Sequence, residues 1–128
     1  MNIDIKDKRV LVTGSSKGIG FEIARTFAQE GAQPILVSRD GARLKEVADT
    51  ILTDTGISCE TIPMDLSAPG ASDAVMKAVG NVDILVNNAG AIPGGDINQV
   101  DEATWRSAWD LKVFGFINMT RTFLAPME

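Results

Sequence analysis

The chain has 128 residues, 45% hydrophobic and 23% charged, with a formal net charge of −5: the proportions of one globular domain with a core. The acidic balance excludes a general nucleic-acid binder, which needs a basic face to displace counterions, and no stretch approaches the ~20 apolar residues of a membrane span. A lone cysteine, Cys59, excludes an internal disulfide, and the absence of histidine and tyrosine removes the commonest general acid–base group, the usual phenolic acid and the makings of a transition-metal site.

The single cysteine fits a reducing, cytoplasmic setting, which is the expectation, and the opening MNIDIKDKRV lacks the apolar core of a signal peptide. Val10-Leu11-Val12 is a short continuous apolar run, as in a strand buried on both faces. Glycines 14, 18 and 20 follow. Ile23, Ala24, Phe27 and Ala28 share a helical face, and Gly31 is a C-cap candidate. Ile35-Leu36-Val37, behind Pro34, predicts a second strand. Asp40 suits the N-cap of a helix carrying Leu44, Val47, Ala48, Ile51 and Leu52, which Gly56 stops. Residues 57–63 read as a weaker third strand. Ser67 is expected to cap a third helix with Ala74, Val75, Ala78 and Val79, closed by Gly80, and Ile84-Leu85-Val86 is the fourth strand. An irregular stretch over 89–100 includes AIPGGD (91–96), a candidate pocket wall, and a last helix runs from about 102 to 125. Strands alternating with helices imply an α/β chain with a parallel sheet, helices on both faces and right-handed crossovers.

Residues 12–20, VTGSSKGIG, run strand, glycine turn, helix, which is the context of a dinucleotide fingerprint. A helix N-terminus offers unpaired N–H groups and partial positive charge to a diphosphate, and glycine lets the backbone turn and approach it. The spacing G-x-x-x-G-x-G differs from the common G-x-G-x-x-G, and no Lys-Ser/Thr follows the last glycine as a Walker loop needs. A glycine-rich connection with no ligand fits this turn taken alone.

Three more motifs fall directly after predicted strands: SRD at 38–40, MDL at 64–66 and NNAG at 87–90. Open α/β sheets place ligands at these strand ends. With TGxxxGIG, these motifs make the chain resemble the N-terminal half of a classical short-chain dehydrogenase/reductase over essentially all 128 residues. The resemblance implies a Rossmann-type, doubly wound, three-layer sheet of order 3-2-1-4. It implies that Gly14, Gly18, Ile19 and Gly20 line a pyrophosphate, with Ser16 in the same cofactor-binding set. Asp65 would accept from the adenine amine, with the Leu66 backbone beside it. Asn88, Ala89 and Gly90 would run along the adenosine ribose toward the nicotinamide, and Asn87 would be a structural tie within the sheet. A turn cap before Ser67 is the competing role for Asp65.

An NAD site needs an acid after the second strand to accept from the ribose 2′-OH. Here Ser38 stands there, followed by Arg39, and Lys17 precedes the second glycine. Serine does not repel a 2′-phosphate, and charge-assisted bonds from Arg39 and Lys17 are worth about 1.5–3 kcal/mol each. NADP(H) is therefore the expected cofactor, as in the family's NADP-preferring branch; two solvated surface cations are the bland alternative.

On a helical wheel at about 100° per residue, Trp105, Trp109, Phe116, Met119 and Phe123 share a face, and Lys112 projects from its middle with Gly115 beside it. Counted from Trp105 to Gly115, position 112 is where the resemblance places the family's catalytic asparagine; Asn118 is out of register. Lys112 is the candidate catalytic residue of this chain, with a packed stem snorkelling to the cleft edge as the alternative. Leu111, Phe114 and Ile117 form a second apolar face, which implies a neighbour: by resemblance a homo-oligomer through the 102–125 helix, with burial under further chain as the competing reading. The family's serine and Tyr-x-x-x-Lys do not occur. Residues 1–128 are accordingly expected to be a dinucleotide-binding domain, incomplete at its C-terminus and truncated before a fifth strand. The expected activity is hydride transfer between NADP(H) and a small-molecule carbonyl or alcohol, of 3-oxoacyl or small-ketone type, without nucleic-acid, membrane or metal partners. A non-catalytic nicotinamide-nucleotide-binding module or truncated product is the rival reading, and an isomerase or dehydratase relative that keeps the cofactor site is the third.

Overall fold

The computed structural model describes residues 3–90 and 93–128, so the first two residues of the AIPGGD stretch lie outside the described residues. Strands β1 (Arg9–Thr13), β2 (Gln33–Ser38), β3 (Glu60–Pro63) and β4 (Ile84–Val86) alternate with helices α1 (Gly18–Gln29), α2 (Gly41–Thr55) and α3 (Ala71–Val79). The strands form one parallel sheet in the order β3-β2-β1-β4, the Rossmann-type arrangement expected.

The two central strands are apolar at consecutive positions because both sheet faces are covered. Val10, Val12 and Leu36 pack on Ala24 and Ala28 of α1 and on Leu44, Val47 and Ile51 of α2. Leu11, Ile35 and Val37 point the other way, onto Val75 and Val79 of α3 and onto Met119 and Phe123. Each such buried Val, Leu, Ile, Met or Phe side chain contributes about 1.5–3 kcal/mol. Parallel pairing sends every strand's C-terminal end to one edge of the sheet, where the four sequence motifs emerge together.

Asp40 caps α2 through its Oδ1, which accepts from Arg43 N at 3.0 Å, and Gly56 closes that helix with φ at 78°. The third helix starts later than expected. Its N-cap is Gly70, with φ at 77°, a conformation that ends any helical run begun at Ser67. Ser67 instead donates its N–H and hydroxyl to Asp65 Oδ1, at 3.0 and 2.6 Å. The third strand is also shorter than 57–63, because its pairing with β2 begins only at Glu60.

The last helical segment is not one regular helix. α4 (Glu102–Trp109) passes into a π-turn (Asp110–Phe114), then α5 (Gly115–Leu124) and a short 3₁₀ turn. On an unbroken helix, Trp105 and Met119 would lie within about 40° of each other. One extra residue in the π-turn rotates them to about 140° apart. Met119 and Phe123 are accordingly 1% exposed, while Trp105 and Trp109 are 36% and 54% exposed. The single apolar face expected across both tryptophans does not exist. No described helix is long and apolar enough to cross a membrane.

Candidate cofactor site

The glycine turn is folded back on β2. Gly14 N and Ser15 N donate to Val37 O at 2.8 and 3.3 Å, and Val37 N donates to Ser15 Oγ at 3.0 Å. Ser15 is fully buried. Replacing it by alanine orphans the Val37 N–H, an expected loss of about 1–3 kcal/mol in chemical denaturation; a loss under about 0.5 kcal/mol would show that the tie is idle.

The three glycines do different work. Gly14 has φ at 66°, and a Cβ there would stand 2.8 Å from the Ala89 Cα. At Gly20 a Cβ would collide with the Gly14 carbonyl oxygen. These two allow close packing. Gly18, with φ at 57°, has nothing within 4 Å of its missing Cβ and opens to the cleft. Lys17 is the N-cap of α1 but makes no side-chain cap, and the first turn holds no acidic residue. The orphan N–H groups of that turn are left for an anion.

Thr13 locks the turn to the β4 end. Its Oγ1 accepts from Asn88 N and Ala89 N, both at 2.9 Å, and donates to Val86 O at 3.3 Å. Asn88 Nδ2 returns bonds to the carbonyls of Thr13 and Gly14, both at 3.2 Å. Asn87 differs from expectation: its Nδ2 donates to Thr120 Oγ1 at 3.0 Å and so ties the sheet to α5. Its buried Oδ1 has no partner among the described residues.

One open cleft of about 1190 Å³ gathers most of the residues singled out in the sequence. Gly14, Ser16, Lys17, Gly18 and Ile19 come from the first strand end; Ser38 and Arg39 from the second; Leu66 from the third; Asn88, Ala89 and Gly90 from the fourth. Gly20 is not in its wall but buried beneath the turn. Asp65 is exposed and outside the wall, its Oδ1 taken by Ser67. The Ser67 hydroxyl, then its N–H, hold the Asp65 carboxyl below the usual value, with a weaker pull from Arg39. Asp65 is therefore ionised at neutral pH.

At the β2 end, Ser38 Oγ donates to Ser16 Oγ at 3.0 Å, and neither Lys17 nor Arg39 has a carboxylate partner among the described residues. At the other end, the π-turn carries Lys112 into the cleft wall. Its stem packs on Gly90, with Cδ 3.0 Å from where a Cβ would stand, and its Nζ lies 5.1 Å from the centre of the Phe116 ring. Cys59 is no rival nucleophile, since burial pushes its thiol up to about 11. Sequence reasoning missed Thr13, Ser15 and Arg43, which also lines the cleft. The threonine directly before Gly14 and a cation one turn into α2 were the available signals.

Residues 8–128 match the family described as short chain dehydrogenase. The chain belongs to that family. Galactitol 2-dehydrogenase (L-tagatose-forming) of Cereibacter sphaeroides is 38% identical over 112 residues, covering 88% of this chain and 44% of the relative. Dehydrogenase/reductase SDR family member 7B of Danio rerio is 35% identical over 134 residues, covering 97% and 43%. L-sorbose reductase of Gluconobacter frateurii, solved with NADPH and L-sorbose, superposes with a TM-score of 0.88 at 34% identity, covering 99% of this chain and 50% of that one. A metagenomic short-chain oxidoreductase solved with NADP gives 0.86 at 32% identity, covering 98% and 58%. The chain spans about half the length of the short-chain dehydrogenases it matches.

Proposed function

We propose that the protein is an NADP(H)-dependent oxidoreductase that moves a hydride between the coenzyme and a carbonyl or alcohol, with residues 1–128 as its dinucleotide-binding domain. The charge pattern of the cleft carries this reading: Ser38 stands where an acid would hold a free 2′-OH, beside Lys17 and Arg39, which have no carboxylate partner among the described residues. The cradle fits the group. Gly18 leaves open space at the first turn of α1, and that turn carries no competing acid. NADPH or NADP in the similar structures supports the same choice.

When bound, the coenzyme supplies the hydride donor or acceptor. The N–H groups at the start of α1, with Ser16 and Ile19 alongside, hold the diphosphate. Lys17, Ser38 and Arg39 take the 2′-phosphate, and ionised Asp65, beside Leu66, accepts from the adenine amine. Asn88, Ala89 and Gly90 wall the ribose and the path toward the nicotinamide. Lys112, at the family's asparagine position, has only N–H groups to offer a water or a substrate oxygen. No side chain of these 128 residues is a phenol or an imidazole, so we assign proton transfer to none of them. A nucleotide-binding module without turnover is the second reading. For the enzyme, sugar ketones and polyols are the first substrates to test, given the relatives named for L-sorbose and galactitol; 3-oxoacyl compounds and small ketones come next. We also propose a cytoplasmic setting, and self-association through residues 102–125, where Phe114 and Ile117 are 54% and 51% exposed.

Calorimetric titration tests the cofactor. NADPH is expected to bind at least about tenfold more tightly than NADH. Arg39→Asp should cost NADPH about 10–100-fold and shift preference toward NADH. Unchanged NADPH affinity in the Lys17→Ala, Arg39→Ala double variant would refute the assignment. NADPH oxidation by the whole protein with a ketose panel separates the enzyme from the silent module.

A further inference from the structure

We infer that Arg43 is a specificity-determining residue of this cleft, tying the glycine turn to α2 through the Ser16 carbonyl and directing its free N–H groups at the coenzyme's 2′-phosphate. The inference rests on the NADP(H) reading above. Arg43 lies in the first turn of α2, where its own N–H holds the Asp40 cap. Its Nε donates to Ser16 O at 3.2 Å, across 27 residues of chain. The residue that follows Ser16 is Lys17, and Ser16 Oγ accepts from Ser38 Oγ. One guanidinium therefore touches the segment that presents both other parts of the phosphate site.

The fork is only partly used. A guanidinium has five N–H donors in one plane, and a single one is committed to Ser16. Glu46 Oε2 is the only carboxylate partner among the described residues, 3.7 Å from Nη1, with side chains 54% and 71% exposed. That contact is long and water-screened, and a fixed dianion displaces it readily. Nη2 has no bond to any described residue, and Arg43 lines the same cleft as Ser16, Lys17, Ser38 and Arg39. Three cations from three chain segments thus line one cleft, together with two hydroxyls. A phosphate monoester, with near-double charge and three acceptor oxygens, matches that set. A free ribose hydroxyl cannot use it.

The test uses two probes, 2′,5′-ADP and 5′-ADP, titrated calorimetrically against the wild-type chain and Arg43→Gln. Gln keeps a donor and much of the stem but removes the charge and the fork. The expected result is a loss of about tenfold or more for 2′,5′-ADP and less than about threefold for 5′-ADP. Arg43→Lys should recover part of the loss, because charge returns without the bond to Ser16. Equal losses for both probes would make Arg43 a support or an adenine contact and overturn the inference; so would no loss for either. A wild type that prefers 2′,5′-ADP, loses that preference in Arg39→Ala and keeps it in Arg43→Gln sinks this inference alone. A wild type that binds neither probe sinks the NADP(H) reading with it.

Discussion

Gly20→Ala is expected to abolish coenzyme binding, with a fall of more than about 100-fold, and to destabilise the fold by about 1–3 kcal/mol. The new methyl would collide with the Gly14 carbonyl oxygen and come within 2.6 Å of Asn88 Nδ2. Neither neighbour can yield cheaply. The Gly14 carbonyl accepts from Asn88 Nδ2, and the Gly14 N–H is bound to Val37 O on β2. Relief comes by lifting the turn off α1, which moves the N–H groups proposed to hold the diphosphate. Gly18→Ala provides the contrast. Its methyl meets no atom within 4 Å, so its cost is the φ at 57°, about 1–2 kcal/mol for a side chain in the left-handed region. Calorimetry with NADPH and thermal melting of both variants check this. A Gly20→Ala chain that binds like wild type would mean that the packed turn is not the diphosphate site.

Thr13→Val should cost about 2–4 kcal/mol in urea denaturation, with little change in the m value. Valine preserves the shape but removes the oxygen to which Asn88 N and Ala89 N both donate. Thr13 is 1% exposed, so no water replaces it at either N–H without opening the sheet. The Asn88–Gly90 wall loses its anchor as well, and NADPH affinity should fall with stability. Thr13→Ser, which returns the oxygen, should restore most of both. A Thr13→Val chain within about 1 kcal/mol of wild type would contradict the locking role.

The sheet was legible because its chemistry is local. Val10–Val12 and Ile35–Val37 are continuous apolar runs, and only a strand covered on both faces needs them. Gly31, Asp40 and Gly56 marked helix ends by their own backbone preferences, and the glycine turn lay between a strand and a helix. The less legible parts depend on contacts remote in sequence. Thr13 and Ser15 serve backbone groups 22 to 76 residues away, and Arg43 reaches a carbonyl in another turn. A helical wheel assumes one pitch, so the inserted residue at 110–114 was invisible to it and Trp105 went to the wrong side. Ser67 is a good cap by composition, but Asp65 captures both its N–H and hydroxyl, and the helix waits for Gly70. Lys112 was flagged by its odd chemistry among apolar neighbours; the π-turn and the small Gly90 bring it to the cleft.

The most direct measurement is a crystal structure of the protein with NADPH. The diphosphate is predicted to lie across the first turn of α1 at Gly18 and Ile19, and the 2′-phosphate between Lys17, Ser38, Arg39 and Arg43. An adenosine phosphate seated anywhere else, or a cleft filled only by water in crystals soaked to saturation, would contradict the account.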